Sequence, residues 1–178
     1  SWKMVVARPG NSPIDNLAQA IVESDNNNLS ENKEELKIRK TINSAMLRSS
    51  SLGLIEAIKQ SNKNKKQNIL VLIDQFEELF RFKKSKENEN SENESAEFVK
   101  LLLEAANQKE VPIYVVLTMR SDFIGDCAQF PSLTEKINDS HYLIPQMTRD
   151  DLQSAIEGPV AVGGGLISPH LVQQLLNE

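Results

Sequence analysis

The chain has 178 residues, enough for one domain and part of a second, and its 39% apolar and 25% charged residues are ordinary globular material with enough hydrophobe for a core. A net charge of −5 offers no electrostatic footprint for duplex nucleic acid, and no apolar run approaches the roughly 18 residues that cross a bilayer. The single cysteine, Cys127, excludes an internal disulfide, fits a reducing, cytoplasmic compartment and has no companion ligands for zinc, so a small buried or half-buried role is expected of it.

No secretory signal is visible, and the opening SWKMVV reads as the middle of a protein, so a fragment is expected. The first strand is predicted at Lys3–Ala7. Ser12-Pro13 is a helix start, and Ile14, Leu17, Ala18 and Ile21 then share one face. Ser24 to Glu35 is polar and predicts a linker. Leu36, Ile42, Ala45 and Met46 mark a long helical region, and Leu52, Ile55 and Ile58 continue it after a serine-rich break. The basic run Asn62–Lys66 is flanked by Asn and reads as a solvated loop.

The next segment, ILVLIDQFEELF from Ile69 to Phe80, is the most informative. Ile69–Ile73 predicts a strand buried on both faces, ending at Asp74 with Glu77 and Glu78 on the first turn of a following helix. Lys83 to Ser95 is charged, low in complexity and without large apolar groups, which predicts a mobile surface insertion over residues 83–95. Phe98, Leu101, Leu102 and Ala105 then define an amphipathic helix, Ile113–Thr118 a third strand, and His141–Ile144 a weaker fourth. Thr148-Arg149-Asp150-Asp151 resembles a capping box ahead of Leu152, Ala155 and Ile156, and Ser168-Pro169 opens a last helix. Strands alternating with helices imply an α/β fold with a parallel sheet covered on both faces.

An acid at the C-terminal end of a buried strand lies where open α/β sheets bind ligands. Leaving Asp74 there costs several kcal/mol unless it is solvated or paired. Magnesium with its waters satisfies it, because that ion takes one or two carboxylates plus phosphate oxygens; capping of the following turn is the plainer alternative. Glu77 and Glu78 suit a helix start through its dipole, and either is placed to orient or deprotonate a water; spacing does not choose between them. The residue directly after Asp74 is Gln75, not an acid. Thr118 and Arg120 end the third strand, beside Asp74 if the two strands are neighbours. Arg120 there can sense a γ-phosphate, or pair with Asp122, Asp126 or the two glutamates. Gly163–Gly165 lacks a following lysine and reads as a flexible turn, while His141 and His170 share no ligand spacing.

Taken together, these segments resemble the STAND class of signal-transducing P-loop NTPases, related to the AAA+ and NACHT proteins, and in particular its novel bacterial branch, whose members are often joined to WD40-type repeats. WKMVVARPGNSPIDNLAQAI is similar to the strand after the P-loop helix with its Arg8-Pro9-Gly10 turn, LVLIDQFEELF to the Walker B segment, VVLTMRSDFIGDCAQFP to the sensor-1 strand, and YLIPQMTRDDLQSAIEGPV to the start of the helical lid. The resemblance implies a three-layer core over residues 1–146 with sheet order 5-1-4-3-2, and a lid beginning at 147–178. It also implies Asp74 as a magnesium ligand, Glu77 or Glu78 for water activation and Arg120 as phosphate sensor. Glu157-Gly158-Pro159 comes too early in the lid for an adenine role.

The chain contains no phosphate-binding G-x-x-x-x-G-K-S/T, so the P-loop and its strand are expected to precede Ser1. The expected parent is a slow ATP- or GTP-dependent switch, partnered by nucleotide, by copies of itself or by its other domains. This piece alone is expected neither to bind nucleotide tightly nor to hydrolyse it. A non-catalytic scaffold that keeps the fold is the alternative. Without the first strand, the Tyr114–Leu117 edge would be left unpaired, so either the fifth strand closes the gap or another chain pairs there.

Overall fold

The computed structural model describes residues 1–25, 33–61, 67–85 and 89–177, with the side chains of 82–85 and 89–92 outside that description. Most of the expected polar linker (26–32), the basic run 62–66 and positions 86–88 of the expected insertion therefore lie outside the described residues. The chain divides into two compact units, Ser1–His141 and Tyr142–Glu178.

The first unit follows the order β1 (Trp2–Ala7), α1 (Pro13–Asp25), α2 (Lys33–Ser49), α3 (Gly53–Ser61), β2 (Asn68–Ile73), α4 (Glu78–Ser85), α5 (Glu89–Asn107) and β3 (Ile113–Leu117). A 3₁₀ segment, Ser121–Gln129, and α6 (Pro131–Ser140) complete it. All strand pairings are parallel, in the order β1-β2-β3, with Ala7 level with Ile73 and Ile73 with Leu117. This is an α/β fold with a parallel sheet, as the alternation of patterns predicts.

Helix α1 begins where the sequence places it: Pro13 has no N–H to leave unpaired, and the Ser12 carbonyl accepts from the Asn16 N–H at 2.9 Å. Its apolar stripe, Ile14, Leu17, Ala18 and Ile21, is fully buried. These side chains join Leu54, Ile55 and Ile58 of α3 and Phe98, Leu101 and Ala105 of α5 in one core with Val5, Ile69, Val71 and Ile73. Helix α3 reaches α2 very closely. A Cβ on Gly53 would lie 2.3 Å from the Met46 carbonyl oxygen and 2.9 Å from Leu47 Cα, so only glycine permits the approach.

Among the described residues of this unit helices cover only one face of the sheet, where a three-layer core with strands buried on both sides was expected. Trp2, Met4 and Val6 of β1 and Tyr114 and Val116 of β3 are about half exposed, and Leu70 and Leu72 lie between them in register. The right-handed crossover rule accounts for this: two successive crossovers in one direction across the sheet put their helices on the same side. The expected fourth strand also fails to form. Residues 141–148 carry no strand or helix, Tyr142 and Ile144 are largely exposed, and this segment, the fifth strand of the expected sheet order, does not close the gap, so the β3 edge stays open among the described residues. Residues 83–85 end α4 and 89–95 begin α5, where Glu94 pairs with Arg48 at 2.9 Å.

The second unit holds α7 (Arg149–Val162) and α8 (Pro169–Leu176). The capping box read from the sequence is present: the Thr148 hydroxyl accepts from the Asp151 N–H, and the Asp151 carboxylate accepts from the Thr148 N–H. Arg149 donates to Gln173 and Asn177, both at 3.0 Å, tying the start of α7 to α8. Glu157-Gly158-Pro159 lies inside α7, and the Gly163–Gly165 turn follows it with Gly164 left-handed at φ 72°.

Candidate functional site

Parallel register alone places three polar residues side by side. One step beyond the level positions Ala7, Ile73 and Leu117 come Arg8, Asp74 and Thr118, all at the C-terminal end of the sheet. The backbone holds this row rigidly. The Asp74 N–H donates to the Ala7 carbonyl at 2.9 Å, the Thr118 N–H to the Ile73 carbonyl at 2.9 Å, and the Phe76 N–H to the Thr118 carbonyl at 2.9 Å. Phe76, fully buried and edge-on to Phe80, anchors the turn from below. Gln75 completes it in the left-handed region at φ 55°, a conformation a non-glycine residue adopts at some cost.

Both oxygens of Asp74 are engaged. The Thr118 hydroxyl donates to Oδ1 at 2.7 Å and accepts from the Gln75 N–H at 3.2 Å. Arg8 donates to Oδ2 through Nε at 3.0 Å and forms an ion pair with the same oxygen, its Nη2 lying 2.9 Å away. The Thr118 hydrogen bond, and after it the Arg8 contact, hold the Asp74 carboxyl below its usual range, so it is ionised at neutral pH.

The two glutamates sit differently. Glu78 accepts from the Gly10 N–H through Oε2 at 3.0 Å, while the side chain of Asn16 holds the carbonyls of Arg8 and Pro9. The Arg8-Pro9-Gly10 loop is thus fastened to Asp74 by its arginine and to Glu78 by its glycine amide. Gly10 has φ 55°, and a Cβ there would meet Asn16 Nδ2 at 2.8 Å. Glu77 is only 6% exposed, and its Oε2 has no hydrogen-bond partner among the described residues. A buried carboxylate oxygen left unpaired is costly and calls for a donor such as water.

Arg120 does not join this row. It forks onto Asp122, Nε to Oδ1 at 3.1 Å and Nη2 to Oδ2 at 2.8 Å, with its guanidinium 5.8 Å from the Phe123 ring centre. That is the ion pair with Asp122 weighed from the sequence, and the two-residue spacing keeps the partner within reach. Arg8, by contrast, is a contact the sequence reading did not assign. The available signal was positional, a basic residue directly after a strand that pairs with the Asp74 strand.

The donor set bears on the metal. Asp74 is a single, partly exposed carboxylate, and no cluster of three or more His, Cys, Asp or Glu among the described residues is arranged to hold an ion. A lone carboxylate of this kind is the sort of ligand that an ion keeping several of its own waters takes. A cavity of about 210 Å³ involving Trp2, Lys3, Asp25, Ser61 and Gln67 opens at the opposite, N-terminal end of the strands and takes no part in this site. No helix among the described residues is long and apolar enough to cross a membrane.

This parallel α/β domain puts an ionised aspartate at the C-terminal end of its central strand, where open α/β sheets bind ligands. The family model described as Novel STAND NTPase 1 matches residues 1–178, and the chain belongs to that family of STAND-class NTPase domains. Neither the curated proteins nor the solved structures give a match.

Proposed function

We propose that this chain supplies the acidic half of the nucleotide site of a signalling switch NTPase, its Walker B and sensor-1 segments. The observation that carries this reading is Asp74: an ionised carboxylate on the central strand, fixed by Thr118 from the neighbouring strand. Asp74 holds the magnesium ion, which when bound neutralises phosphate charge. Glu77 and Glu78 flank it. Glu77, with an oxygen lacking any donor, has capacity to hold a water, while Glu78 is already committed to the Gly10 amide. Arg120 serves as a phosphate sensor only after leaving Asp122.

The phosphate-binding loop and its lysine belong to a segment outside this sequence, added at the open β3 edge. The nucleotide is ATP or GTP, and hydrolysis is slow, biasing a parent protein between two assembly states. Self-association or further parental domains, including WD40-type repeats, read the switch, and the setting is cytoplasmic.

In the full parent, NTP turnover is expected to collapse in Asp74→Ala and in one of Glu77→Gln and Glu78→Gln. Turnover unchanged in all three would remove this assignment. A parent that binds nucleotide but never turns it over would place the scaffold reading first, in keeping with Gln75 standing where many hydrolysing relatives carry an acid.

A further inference from the structure

We propose that Arg8 is the resident cation of Asp74 Oδ2 and that a divalent cation must displace it to take that oxygen. The inference rests on the reading of Asp74 as a metal ligand and goes beyond it by naming what controls access.

Geometry sets the competition. Arg8 donates its Nε–H to Oδ2 at 3.0 Å and sets Nη2 2.9 Å from that same oxygen as an ion pair, whereas Oδ1 receives only the uncharged Thr118 hydroxyl. A metal at Oδ2 and a guanidinium at the same oxygen are like charges at contact distance and exclude one another. Thr118 carries no charge and has no such conflict, so Oδ2 is the oxygen that exchanges its partner.

Release is also mechanically free. The Arg8 side chain is 60% exposed. The backbone of its loop is held independently, by Asn16 on the Arg8 and Pro9 carbonyls and by Glu78 on the Gly10 amide. Removing the guanidinium from Asp74 gives up one fastening of the loop and leaves these backbone contacts in place. The Asp74 turn is likewise secured by its amide bonds to the β1 and β3 ends. A pair whose loss disturbs neither partner's backbone suits reversible displacement.

The test uses the 178-residue chain and Mn²⁺ alone, read by broadening of the Asp74–Phe76 amide resonances, together with Mg²⁺ in the wild type, read by the Arg8 Nε–H resonance. In Arg8→Gln the Mn²⁺ midpoint should fall about two- to fivefold, the scale on which an exposed ion pair competes, with Arg8→Lys between the two. Mg²⁺ should shift the Arg8 Nε–H resonance of the wild type towards its free position, and Asp74→Asn should abolish both effects. If Asp74→Asn removes Mn²⁺ broadening while Arg8→Gln leaves the midpoint unchanged and Mg²⁺ leaves the Arg8 resonance in place, displacement is overturned and the metal role of Asp74 stands. If broadening persists in Asp74→Asn, or never occurs at these amides, the metal reading falls and takes the inference with it.

Discussion

The two faces of the sheet carry the same kind of side chain and meet opposite fates. Val5, Ile69, Val71 and Ile73 point into a core closed by α1, α3 and α5, while Met4, Val6, Leu70, Leu72, Tyr114 and Val116 on the reverse side have no layer over them in this unit. An antiparallel sheet with one wet face would alternate apolar with polar residues; these strands do not. The strand sequences are thus written for burial on both sides, but only one side is closed by the described helices. An apolar run states how much cover a strand suits, and says nothing about which chain segment provides it.

Substitutions separate the faces most sharply. Phe98→Ala, on the covered side, should destabilise the chain by about 3–5 kcal/mol in chemical denaturation, through lost burial plus a cavity. Val116→Thr, on the bare side, should stay within about 0.5 kcal/mol. A large loss from Val116→Thr would break the contrast and mean that the second face is covered in solution.

Next in size is Gly53→Ala, which tests how tightly the covering helices are fitted. With backbone atoms 2.3 and 2.9 Å from the new Cβ, a loss of about 1–3 kcal/mol is expected, against the gain that alanine normally brings to a helix. A stabilised variant would show that α2 and α3 separate easily.

Polar contacts should matter less than either. Asp74 and Asp15 both have carboxyl groups held below the usual range, Asp74 by Thr118 and then Arg8, Asp15 by Arg48 first and then Ser44. Lowered folded values mean that their contribution is complete above the ordinary aspartate range and is lost as pH falls through the folded values. Both side chains are at least one-third exposed, so each should add no more than about 1 kcal/mol at pH 7. Urea midpoints of Asp15→Asn and wild type should converge on acidification; a gap that persists at low pH would assign the effect to packing.

Cys127 gives the smallest effect on stability at neutral pH and reports on the dryness of the covered core. Burial, with Asp126 second, raises its thiol from 9.0 to about 11. Its contribution is therefore complete below 9 and disappears as pH rises towards 11. At pH 8 the folded thiol should alkylate far more slowly than the unfolded one, and equal rates would show water reaching the core.

Much of this was legible in the sequence because it rests on local signals. Ser12-Pro13, Thr148 with Asp151 and Ser168-Pro169 each mark a helix start through bonds made within a few residues, and Asp74 is marked by the end of an apolar run. What the sequence did not show depended on distant partners. Residues 141–144 are apolar enough for a strand but pair with none among the described residues, and Glu94 of α5 meets Arg48 of another helix. Arg8 and Asp74 are 66 positions apart, so their pairing required the strand register before it could be seen. Arg120 has its acid, Asp122, two residues away, a pairing that local separation alone makes available.

The stitching of the acidic turn has a mechanical consequence. Because the amides of Asp74 and Phe76 and the carbonyls of Ala7 and Thr118 are bonded to one another, the turn cannot shift without unzipping the ends of three strands. Opening of that kind is rare and slow, on the clock of cooperative unfolding. An exposed arginine side chain moves in picoseconds to nanoseconds. The aspartate is therefore an anvil and Arg8 the moving part, and any signal that begins here starts as the swing of one side chain over a stationary sheet.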